Sequence, residues 1–89
     1  MEEAKMTNIP FDDEPPQSDA VTDYDERHFT TYIRLLDADA EGANWREAAS
    51  IIFELDVSRE PERARKVHDS HLRRARWMTE AGYKHLLTK

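Results

Sequence analysis

The 89-residue sequence contains no cysteine, only two glycines and no long apolar run, and each shortage removes a class of protein. Without cysteine there is no disulfide staple, no thiolate nucleophile and no cysteine-based zinc site. Two glycines cannot build the glycine-rich loop that cradles a nucleotide phosphate. No stretch approaches the ~20 apolar residues of a membrane span, and the opening MEEAKMTNIPF is acidic and lacks the apolar centre of a signal peptide. A soluble cytoplasmic protein is therefore the expectation. A hydrophobic content of 38% and a mean hydropathy of -0.91 leave material for one small core, which excludes a large multi-domain enzyme.

Charge, in contrast, is abundant: Asp, Glu, Lys and Arg make up 36% of the chain, with a formal net charge of -6. That balance disfavours a generally basic nucleic-acid binder. The distribution is uneven, however. Residues 1–26 hold nine acids against Lys5 alone, and residues 27–58 hold six acids against three arginines. From 59 to 89 the sign reverses, with nine bases (Arg59, Arg63, Arg65, Lys66, Arg73, Arg74, Arg76, Lys84, Lys89) against four acids. The chain's pI near 5.1 conceals a basic C-terminal third.

Residues 1–22 hold three of the four prolines (Pro10, Pro15, Pro16), many acids and isolated hydrophobes, with no helical or alternating period. Such a segment cannot bury enough surface to offset its ordering entropy, so a disordered acidic arm is expected, with Ile9-Pro10-Phe11 as its one apolar cluster. The remaining residues, 23–89, read as a small all-α, helix-turn-helix-like bundle of three main helices plus a short C-terminal helix. Asp23 is the expected N-cap of the first helix, with Glu26 at the capping-box position, and Phe29, Tyr32, Ile33 and Leu36 recur at helical spacing. This helix should run to about Ala40, ended by Gly42, and Asn44 should cap a second helix carrying Trp45, Ala48, Ala49 and Ile52. After a connection over residues 53–58, Pro61 fits the first turn of the longest helix, on which Ala64, Val67, His71, Ala75 and Met78 share one face. Its other side carries Arg59, Arg63, Lys66, Arg73, Arg74, Arg76 and Trp77. Gly82 should break it, with Tyr83, Leu86 and Leu87 forming the short closing helix.

Candidate chemistry is thin. His68 and His71 lie one turn apart beside Asp69, but a zinc site needs three or four ligands, and His28 and His85 fall on other segments. His71, on the apolar face, reads as a hydrogen-bonded core histidine. No nucleophile motif stands in a recognisable local context. A non-enzymatic protein without metal or cofactor is expected. The basic side of the third helix is the most informative feature, since arginines on a helix can neutralise phosphates and read guanine edges. The same arginines, paired at i, i+4 with acids, could also merely solvate a long helix.

The stretch IRLLDADAEGANWREAASIIF, residues 33–53, followed by HLRRARWMTEAGYKHLL, residues 71–87, resembles a helix-turn-helix-like domain of unknown function from alpha-proteobacterial proteins. That family includes the QseM-type antiactivators of integrative and conjugative elements and the related activator FseA. The most specific pieces are Leu36-Asp37 to Gly42, the group Trp45, Arg46, Glu47 and Ala49, and Gly82-Tyr83-Lys84 with Leu86-Leu87. The resemblance implies an antiactivator that binds a quorum-sensing activator of the TraR/LuxR type and an FseA-like activator by protein contact. It would repress excision and conjugative transfer of a mobile element without binding DNA directly. Arg65, Arg73, Arg76 and Trp77 are the expected partner-binding residues. The alternative is a DNA-binding helix-turn-helix regulator whose basic third helix enters the major groove.

Overall fold

A computed structural model of the chain describes residues 10–82. Among these, four α-helices and a π-helical turn form an all-α fold: α1 (Asp23–Arg27), α2 (Phe29–Ala40), α3 (Trp45–Phe53), α4 (Pro61–Trp77) and the turn Met78–Gly82. The expected closing helix lies outside the described residues. No described helix is long and apolar enough to cross a membrane.

The first expected helix is two. Its cap is Thr22 rather than Asp23: the Thr22 hydroxyl accepts from the Asp25 backbone N–H, and the Asp25 carboxylate accepts from the Thr22 N–H. The capping box is thus shifted by one residue, with Asp in place of Glu at its third position. His28 then leaves helical geometry (φ -107°, ψ 18°), and its ring bridges the carbonyls of Tyr24 and Pro10 at 2.8 and 2.9 Å. The break turns α1 so that Tyr24 and Asp25 both face inward, where they are buried. In α2 the buried side chains are Tyr32 and Leu35, whereas Phe29 and Ile33 are 47% and 45% exposed. The core-facing stripe is therefore rotated from the expected one.

Gly42 ends α2 as its sequence position suggests, at φ 77°, and the N–H groups of Gly42 and Ala43 close back on the carbonyls of Asp39 and Ala38. Asn44 caps α3 by accepting from the Arg46 N–H at 2.7 Å. Ala48, Ala49, Ile52 and Phe53 form the buried face of α3, and the two alanines allow its backbone to approach α4. Phe53, expected in the connection, is a buried residue of the last turn. Pro61 opens α4 at its first turn. α4 is the central element, packed on both α2 and α3; the five residues predicted to share its inward face, Ala64, Val67, His71, Ala75 and, just past its end, Met78, are all buried.

Residues 10–22 carry no helix, yet they lie packed against the helices, contrary to the free arm expected there. Phe11 sits edge-on to Phe53 with ring centroids 4.9 Å apart and joins the main core cluster. The Asp12 N–H donates to the Tyr24 hydroxyl, Arg63 pairs with Asp13 at 2.8 Å, and Ser70 donates to the Asp13 carbonyl. Periodicity fails to find such a segment because it docks through isolated side chains and backbone carbonyls rather than through one apolar stripe.

Candidate nucleic-acid interface

The basic residues of α4 do not share one environment: Arg63 pairs with Asp13, and the others divide into two groups. Arg74 belongs to the interior. Only 7% exposed, it forks onto the fully buried Asp25, Nε to Oδ1 at 3.0 Å and Nη2 to Oδ2 at 2.6 Å. Its remaining donors hold the carbonyls of Ser18 and Ala20 at 2.6 and 2.9 Å. Asp25 also accepts from the Tyr32 hydroxyl at 2.7 Å and from the Thr22 N–H. Burial pushes the Asp25 carboxyl up, but the hydrogen bonds from Arg74, Thr22 and Tyr32 outweigh it and hold the group below its ordinary range. Burial, together with donation to Asp25, raises the Tyr32 phenol above its usual value. A carboxylate with this many donors tolerates burial, and Arg74 is consequently a structural cation.

His71 lies beside this network. Its Nδ1–H donates to the Val67 carbonyl at 2.8 Å, which leaves Nε2 to accept from the Tyr24 hydroxyl at 2.6 Å. Burial drives its pKa down to about 4, so the ring is neutral, as a core histidine should be.

The second group faces solvent. Arg65, Lys66, Arg73 and Arg76 are all exposed. At ~100° per residue they fall within one arc of α4, with Asp69 between them. Arg76 pairs with Asp39 of α2 at 2.7 Å, both side chains about half exposed, whereas Lys66 and Arg73 make no ion pair with a described residue. Arg65 donates from Nε to Asp69 at 2.8 Å, and Asp69 also meets Nδ1 of His68 at 2.9 Å. The Arg65 guanidinium lies 4.8 Å from the centre of the Trp45 ring at the start of α3, and that of Arg46 lies at the same distance from it. Of the four residues expected at an interface, the fold brings Arg65, Arg73 and Arg76 to this one face. Trp77 sits at its edge, where the Arg74 guanidinium covers its ring at 3.9 Å, beside residues 17–19.

Sequence reasoning missed Trp45 and Arg46 as neighbours of Arg65. The available signal was an aromatic and an arginine directly after an N-cap, although the pairing with α4 needs the tertiary fold. His68 and His71 do not converge: His68 turns to Asp69 and Trp45, and His71 to Val67 and Tyr24.

A family model described as "T6SS, Transcription factor, DNA binding domain" matches residues 4–88. The chain belongs to that family. Membership in this T6SS transcription-factor family carries the class of transcription regulation, which is not an enzyme class. It overturns the expectation that direct DNA binding is absent, which rested on the antiactivator resemblance and on the acidic balance of the chain outside its basic C-terminal third. The QseM and FseA relationship, the TraR/LuxR-type partner and the conjugative element receive no support from it. No curated protein matches the chain.

Proposed function

We propose that this domain binds double-stranded DNA as part of a transcription regulator, using the exposed face of α4. The carrying observation is the cluster of four exposed cations, Arg65, Lys66, Arg73 and Arg76, on one side of a 17-residue helix in a chain of this family. A helix of that length spans about 25 Å and fits the ~12 Å major groove along its axis. The pairs Arg76–Asp39 and Arg65–Asp69 do not block the surface. The first is exposed, and a pair of that kind contributes so little that a phosphate readily replaces the carboxylate, while the second uses only Nε of Arg65 and leaves both terminal nitrogens without a hydrogen-bond partner among the described residues. The acidic remainder of the molecule keeps attraction to arbitrary DNA low and confines it to this face.

The test is fluorescence anisotropy of the full chain on labelled duplex DNA across a salt series. Reversing two charges, Arg73→Glu with Arg76→Glu, should weaken binding by at least about 50-fold at 0.1 M salt while leaving thermal unfolding unchanged. Wild-type affinity in that variant would remove α4 from the interface.

A further inference from the structure

The exposed cations of the binding face are not equally free to move. Lys66 and Arg73 are ordinary solvated side chains, but Arg65 is fixed from two directions, its Nε committed to Asp69 and its guanidinium lying over Trp45. Both terminal nitrogens of Arg65 remain as donors without a hydrogen-bond partner among the described residues. Arg46 approaches the same ring from α3 and has no carboxylate partner there. Two guanidiniums therefore lie no further apart than twice 4.8 Å, and among the described residues the one carboxylate that pairs with either is Asp69, itself shared with His68. A surplus of positive charge is held in a set position by an indole.

We propose that Arg46 and Arg65, gathered over Trp45, form a clamp for backbone phosphates of bound DNA, with Trp45 and Asp69 as positioning residues. This rests on the DNA-binding reading above and assigns a further contact to it. Three features point to phosphate. Guanidiniums match phosphate oxygens through forked donors, and the unused Arg65 nitrogens present such a fork. Stacking on an aromatic fixes the cations before binding, so little side-chain entropy is lost on contact. Two cations within twice 4.8 Å of each other can take neighbouring anions, and a DNA strand offers one about every 3.4 Å of its axis, whereas a single base edge accepts one fork.

The experiment measures binding of the full chain to two unrelated labelled duplexes as salt is varied. For Arg46→Ala with Arg65→Ala, the slope of log affinity against log salt should fall by about 2 in magnitude, with affinity at 0.1 M reduced about 60-fold on both duplexes alike. Arg65→Lys should retain the slope but lose part of the affinity, because an ammonium neither forks nor stacks as guanidinium does. Trp45→Leu should weaken binding several-fold at unchanged slope, measured at a temperature where circular dichroism shows the variant fully folded, which separates positioning from the support this half-buried ring gives the core. An unaltered slope in the double variant, or a loss confined to one duplex, would overturn the clamp, the latter by showing base readout instead. If the charge reversal at Arg73 and Arg76 abolishes binding while the double variant keeps the wild-type slope, only the clamp fails. If the wild-type chain shows no salt-dependent binding, both readings fall together.

Discussion

Arg73 and Arg74 are adjacent in the chain, identical in chemistry and opposite in circumstance. Arg73 stands in solvent without an ion pair to a described residue, whereas Arg74 is buried with a bidentate carboxylate and two backbone carbonyls. The difference comes from 100° of helix rotation together with a partner, Asp25, that lies 49 positions earlier. A count of bases on a helix therefore overstates what is available to a ligand: one face of α4 spends its charge on holding the fold, and the other keeps it for contact.

The sharpest way to break this comparison is at Asp25. Asp25→Ala strands the buried Arg74 guanidinium and should destabilise the domain by about 3–5 kcal/mol in denaturant unfolding, a large part of the ~5–15 kcal/mol typical of a small domain. Replacing both partners together, Asp25→Leu with Arg74→Met, should cost less than either single change, since no charge is left buried alone.

Acid provides a second probe of the interior face. The unfolded chain protonates His71 near 6.5, while the folded chain resists protonation down to about 4. Stability should thus be complete above that upper value and fall as pH drops between the two. Asp25, held below its ordinary 3.8, adds a further loss as pH falls below that value. Melting temperature followed against pH checks both, and His71→Gln should flatten the upper part of the curve.

Smaller effects sharpen the contrast between packed and exposed positions. Phe11→Ala, which removes a half-buried ring from the edge of Phe53, should cost about 2 kcal/mol, roughly half the value for a fully buried phenylalanine. Asn44→Ala should cost about 1 kcal/mol through loss of the α3 cap. Arg76→Ala should change stability by no more than about 0.5 kcal/mol, since its pair with Asp39 is exposed. Thermal or chemical melts rank all three.

Much of this fold is legible in the sequence, for reasons that can be named. Gly42 and Asn44 mark their helix ends through local backbone chemistry, and the inward face of α4 follows from strict apolar spacing. What stayed hidden depends on distant partners. Asp25 counted as one more of the nine acids in residues 1–26, and Arg74 as one more base of a surface, because nothing local to either announces the other. The break at His28 was likewise invisible, since it depends on a carbonyl at Pro10. At the candidate interface, Arg65, Arg73 and Arg76 could be placed on one face from spacing, whereas the approach of Trp45 to Arg65 arises only when α3 packs on α4. Net charge misled most, because it averages over surfaces that a ligand meets one at a time.

The Asp25–Arg74 pair also dictates an order of assembly. Its members stand at opposite ends of the described chain, so as the polypeptide is synthesised α1 has no counter-ion until α4 has been made. Before then, burying the Asp25 carboxylate is unfavourable, and the segment around residues 10–25 has no reason to leave water. Docking of this segment therefore waits on α4 and closes a long loop onto it. In φ-value terms, substitutions at Phe11 and Asp25 should accelerate unfolding and leave the folding rate nearly untouched.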